Sequence, residues 1–232
     1  MSASKFKSIA AATILLGTAS AANAGFVTID STSPVQNTIG IVPSNDFRSI
    51  FAGIGVTTYT LGASLATDSA GSIAFYYFGK EAGYENIFTA TNGSSTRTYD
   101  TGFTPTTQNY FGVNGLLFGS LDVSAGLLNF NFCAFSAPGA GQGCVTNAQN
   151  DHLNLGSLQS IAFSLSSSGN SAWLFWDDSG AGPDDNHDDM LIKAVFTPKA
   201  VPEPATLGLL GLGLLGTWFG ASRRQRKALL QA

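Results

Sequence analysis

The chain has 232 residues and a formal net charge of −4, yet residues 25–204 hold all fifteen acids and only five bases, Arg48, Lys80, Arg97, Lys193 and Lys199. A body this acidic has no electrostatic route to a phosphate backbone, which excludes nucleic acid as a partner. It is rich in Gly, Ser, Thr, Asn and Phe and poor in Lys, Glu and Arg, which disfavours helices and favours strands joined by turns, while the many aromatic residues argue against disorder.

Residues 1–24 read as a signal peptide. Lys5 and Lys7 supply a positive start, residues 9–19 are an apolar run too short to span a bilayer, and Ala22 and Ala24 are the small residues a signal peptidase requires at −3 and −1. Removal of this segment would leave Gly25 as the first residue.

Residues 25–200 form the body, where short β-favouring runs alternate with turn-forming stretches. Strands are expected at 54–61, 72–78, 111–117, 127–135, 161–165, 172–176 and 190–197. Within 127–135, Leu128, Phe130 and Phe132 fall on one face and Asn129, Asn131 and Cys133 on the other, the pattern of a half-buried antiparallel strand. The fold class is therefore all-β: a single antiparallel sandwich or jelly-roll-like domain, of undetermined topology.

Cys133 and Cys144 are the only cysteines. In an exported chain they are expected to pair across the turn at 136–143, stapling the open end of a hairpin, with two free thiols as the alternative. Such a loop gains about 3 kcal/mol in the chain-entropy account.

Asp177, Asp178, Asp184, Asp185, Asp188 and Asp189 crowd into a Gly-rich stretch between two expected strands. Asp184, Asn186 and Asp188 have the alternate-residue spacing by which side-chain oxygens converge on calcium, with Asp177 and Asp178 as further ligands. The stretch is not an EF-hand, because Asp189 and Val195 stand where that loop needs its Gly and its Glu. The other reading is a solvated acidic turn whose Asp and Asn side chains cap backbone groups, with His187 facing solvent.

No catalytic signature stands out: there is no Gly-x-Ser-x-Gly elbow, no His-Glu-x-x-His and no phosphate-binding glycine loop. The body is expected to be non-catalytic. Paired carboxylates of a polysaccharide-acting hydrolase are the enzymatic alternative, since their spacing is set only in three dimensions.

The C-terminus has three abutting parts. Val201-Pro202-Glu203-Pro204-Ala205 blocks helix formation, because each Pro fixes φ and biases its predecessor. Residues 205–221 carry no charge and, as a transmembrane helix, would rise about 25 Å, the short end of a membrane span. Arg223, Arg224, Arg226 and Lys227 then form a basic stub that stays cytoplasmic. This tripartite ending over 201–227 resembles the PEP-CTERM sorting signal of exopolysaccharide-producing Gram-negative bacteria.

The resemblance implies a transient inner-membrane anchor and cleavage by exosortase near Pro202, Glu203 and Pro204, with the body going to the cell surface or extracellular matrix, in association with exopolysaccharide. A plain anchor that is never cut is the alternative. The stretch 173–196 also resembles a segment of such secreted proteins, although His187-Asp188 departs from its usual ending, and 71–88 ("GSIAFYYFGKEAGYENIF") is similar to another. On the sugar-binding version of this reading, Tyr76, Tyr77, Tyr84 and Trp176 are the candidate stacking residues.

Overall fold

In the computed structural model the described residues are 24–38, 56–103, 108–109, 114–137, 140–150, 159–178, 187–199 and 211–217. Among them the chain is almost entirely antiparallel β-structure. In chain order the strands are β1 (Phe26–Thr38), β2 (Thr58–Thr67), β3 (Gly71–Lys80), β4 (Glu85–Thr91), β5 (Thr96–Asp100), β6 (Gln108–Asn109) and β7 (Leu116–Val123). They continue with β8 (Gly126–Leu127), β9 (Phe130–Ala137), β10 (Ala140–Thr146), β11 (Ser160–Leu165), β12 (Ser171–Asp177) and β13 (Met190–Pro198).

The larger sheet runs β1-β2-β11-β12-β13-β3-β6, with β7 on the free side of β3 and β8 on β2. The smaller sheet runs β10-β9-β4-β5, and among the described residues neither sheet closes into a barrel. The two pack face to face through one aromatic core. Phe75, Tyr77, Phe163 and Trp176 of the larger sheet meet Phe88, Phe130 and Phe132 of the smaller, and the Trp176 indole stacks on Phe132 with centroids 5.3 Å apart.

The larger sheet is also buried on its other face, where Tyr59, Leu61, Phe78, Trp173, Phe175 and Leu191 form a second cluster. This explains why β12 is apolar at consecutive positions instead of alternating, as in any strand covered on both sides. β2 contributes to both clusters with residues of one parity: Tyr59 and Leu61 to the second, Ala63 and Leu65 to the first. Gly62, at φ +66°, lies between them in the left-handed region and reverses the alternation.

β2 and β11 share one paired position, Phe163 with Thr60. Beyond it the seam is closed by side chains. Asn150 donates to the carbonyls of Ala63 and Ile161, both at 2.7 Å, and accepts the Ile161 N–H at 2.9 Å. Asn147, in a short 3-10 turn, does the same between Leu65 and Leu128, accepting the Leu65 N–H and donating to both carbonyls. Each buried amide thus takes the place of a missing strand residue.

Two expectations are revised, and a third falls mostly outside the described residues, as does 111–113 of the first. The strand expected from residue 111 starts at Leu116, because Asn114 and Gly115 both have positive φ and form a turn. The glycine-rich stretch 136–143 is mostly strand, since β9 runs to Ala137 and β10 begins at Ala140. Of the span 205–221, only 211–217 is described; it is an exposed helix, and no helix among the described residues is long and apolar enough to cross a membrane.

Candidate functional site

The acidic stretch and the 71–88 stretch meet at one end of the two sheets. β12 ends at Asp177 and β13 starts at Met190, and the chain enters β13 through His187, Asp188 and Asp189. Asp189 ties the two strand ends together: its N–H donates to the Trp176 carbonyl at 3.1 Å, and its Oδ2 accepts the Asp178 N–H at 2.7 Å. Against this corner lie the end of β3, with Lys80 and Glu81, and the start of β4, with Asn86.

Four carboxylates are withdrawn from solvent here: Asp177 and Asp188 are 0% exposed, Asp178 4% and Asp189 6%. Carboxylate oxygens of Glu81, Asp188 and Asp189 lie within 4.8 Å of one another. Asn86 joins this group to the core. It donates to Asp178 Oδ2 at 2.8 Å and to the Asp189 carbonyl at 3.4 Å, while its own oxygen accepts the Trp176 indole N–H at 2.9 Å. Gln159 donates to the Asp178 carbonyl at 3.1 Å.

The charge balance is lopsided. Burial, reinforced by the charges of Asp178, Asp177 and Asp188, pushes the Asp189 carboxyl up to about 9, against the opposing hydrogen bond from Asp178. Lys80 is a buried cation at this corner, and its ammonium donates to the carbonyls of Tyr84 at 3.4 Å and Gly102 at 3.3 Å. Burial holds Lys80 below the ordinary lysine range, opposed by the attraction of Asp178, Glu85 and Asp100. The donors gathered here are carboxylate oxygens, a set suited to a hard divalent cation such as calcium rather than to a softer transition metal.

The structure corrects the solvated-turn reading for the residues it describes. His187 is 1% exposed, not solvent-facing. It takes left-handed φ (+57°), places Nε2 2.8 Å from Ser160 Oγ and Nδ1 3.9 Å from Asp177 Oδ2, and sets its ring 5.4 Å from Tyr59. Of the five expected ligands, Asp177, Asp178 and Asp188 reach this corner, while Asp184 and Asn186 lie outside the described residues. Glu81, Asn86 and Asp189 were not among the expected ligands. For the first two the signal was the 71–88 stretch, whose polar end closes on the acidic stretch only in three dimensions.

Elsewhere, Cys133 and Cys144 form a disulfide between directly opposed residues of β9 and β10, with S–S 2.03 Å. Trp176 and Tyr77 are fully buried core residues and are unavailable for stacking on a sugar; Tyr76 and Tyr84 are half-buried. A groove of about 640 Å³ opens on the outer face of the larger sheet. Its floor is a row of facing residues on four adjacent strands, Ser164, Trp173, Lys193 and Tyr76, and the Lys193 ammonium sits 4.9 Å from the Trp173 ring centroid. Of the expected processing residues, Ala24 is described and partly buried, whereas Ala22, Pro202, Glu203, Pro204 and the basic stub at 223–227 lie outside the described residues.

Comparison with protein families places a PEP-CTERM protein-sorting motif at residues 200–224. The chain carries that sorting motif. The motif implies exosortase as the sorting partner and export with transient membrane passage toward the cell surface. No curated protein and no solved structure matches the chain.

Proposed function

We propose that this is a non-catalytic cell-surface or matrix protein, released or transferred by exosortase, whose β-body associates with exopolysaccharide and holds a calcium ion at its acidic corner. The observation that carries the reading is the sorting motif at 200–224, which directs the body outward. Two features of the body support the rest.

The acidic corner supports the ion. Asp188, Asp189 and Glu81 converge closely enough to share one cation, and a bound cation would displace the proton that burial holds on Asp189. The groove supports the sugar. It offers the Tyr76 ring, the Ser164 hydroxyl and the Lys193 ammonium along one line, with the Ser171 hydroxyl to one side, an arrangement of stacking surface and hydrogen-bonding groups that suits a polyhydroxylated chain.

The test uses the mature exported protein. Intact mass should report loss of the C-terminal basic stub, and native mass spectrometry should report one bound calcium that disappears with chelator. Sedimentation with the producing cell's exopolysaccharide should carry the protein down, and Tyr76→Ala should weaken that binding about five- to tenfold. Retention of residues 223–227 in the mature form would overturn the sorting reading. Unchanged sedimentation of Tyr76→Ala would remove the groove from it, and no uptake of calcium at millimolar concentration would remove the ion.

A further inference from the structure

The N-terminal edge of the body is built around one contact. The Gly25 backbone nitrogen donates to Asp68 Oδ1 at 2.9 Å, and the Asp68 N–H returns a bond to the Gly25 carbonyl at 3.1 Å. The Phe26 N–H donates to the Gly169 carbonyl at 2.7 Å, and the buried Phe26 ring lies 5.7 Å from Phe196. Gly25 is itself buried, and a Cβ there would collide with the Gly169 carbonyl. Only glycine fits this position, and its nitrogen is aimed at a carboxylate.

That nitrogen follows Ala22-Asn23-Ala24, the small-residue pattern of a signal-peptidase site. While residue 24 is attached, it is a neutral amide with a single N–H. Hydrolysis of the Ala24–Gly25 bond consumes one water, leaves the carboxylate on Ala24 and turns the nitrogen into an α-ammonium carrying one positive charge and three donors. With the same backbone position, the charge falls at hydrogen-bond distance from Asp68.

We propose that Asp68 is the binding site for the α-ammonium of Gly25, so that removal of residues 1–24 converts a neutral hydrogen bond into an ion pair that locks β1 onto the β2–β3 turn. The inference rests on the export reading above for the position of the cut. The same turn holds the other end of the body: the Lys199 N–H donates to the Ala70 carbonyl at 2.9 Å, just before the sorting motif begins. Gly25 and Lys199, the described residues nearest in sequence to the two processing points, therefore both bond to the segment Asp68-Ser69-Ala70. The N-terminal cut must precede the docking of β1, because in the folded body the bond to be cut is followed by two buried residues, Gly25 and Phe26.

The experiment compares the mature protein beginning at Gly25 with a form that begins one residue earlier, at Ala24, each with and without Asp68→Asn. In the extended form the ammonium is displaced by about 3.8 Å and Gly25 keeps an amide nitrogen. Asp68→Asn should lower the Tm of the Gly25 form by about 2–4 °C and that of the Ala24 form by less than half as much. Acylation of the α-amine by a reactive ester should be several-fold slower in the Gly25 form. Equal Tm losses, or equal acylation rates, overturn the pairing. N-terminal mass analysis of the exported protein is a separate arm: a first residue other than Gly25 overturns the cleavage reading, while the four-form comparison still decides whether Asp68 receives the ammonium.

Discussion

The two ends of β13 are built on opposite principles. At the Met190 end, Asp188, Asp189, Asp177 and Asp178 are all buried, and order depends on a network of charged and polar groups around Asn86. At the Pro198 end, the strand passes through plain backbone pairing with Gly71 and Ser72, and the chain leaves beside an exposed turn. The first end gathers buried carboxyl groups that converge closely enough to suit a cation. The second is an ordinary strand terminus from which a tail can be cut without disturbing what lies behind it. A body meant to be detached is best served by keeping its sensitive chemistry far from the cut; eight residue steps of about 3.3 Å put roughly 26 Å between the two ends.

The contrast is open to attack at several points. The largest effect is expected from Asn86→Ala, which takes partners from the Asp178 carboxylate and the Trp176 indole at once. It should cost about 3–5 kcal/mol in denaturant unfolding. If calcium occupies the corner, part of this loss should be recovered at saturating ion.

Asn150→Ala attacks a polar buried group that has no part in the acidic corner. Stripping the Ala63 and Ile161 backbone groups of their partners should cost about 2–3 kcal/mol, and calcium should restore none of it. Equal rescue of both variants would erase the distinction between the two regions.

The pH dependence sharpens it further. Burial pushes the Asp189 carboxyl from the ordinary 3.8 up to about 9 in the folded body, so the native state holds the additional proton between those values. Without the ion, stability should therefore fall as pH rises from about 4 to about 9, by up to about 1.4 kcal/mol per pH unit. Calcium competes with that proton and should flatten the slope, which urea midpoints across the range would measure. Asn150→Ala should shift the curve without changing its slope.

Strand composition was the legible part of this molecule. The aromatic runs at 72–78, 161–165 and 172–176 lie within β3, β11 and β12, and the alternation of Leu128, Phe130 and Phe132 against Asn129, Asn131 and Cys133 matches their burial. What escaped was whatever depends on a distant partner. Asn147 and Asn150 look like loop residues until Leu65, Ala63 and Ile161 are placed beside them. Gly62 follows an expected strand without any signal of its own, yet its left-handed φ reverses the faces of β2. The acids were conspicuous as a group, but in a local reading six charges in one stretch imply solvent. Burial came from Lys80, Glu81 and Asn86, a hundred residues earlier in the chain.

β13 lies in the interior of the larger sheet, with β12 on one side and β3 on the other. While the tail is still anchored, any drag on the body pulls at residue 199. For a load directed along β13, the ladders on both flanks must shear together instead of peeling apart one bond at a time. The tether is thus fastened to the most force-resistant kind of strand a sheet offers, and the body would reach the point of release still folded.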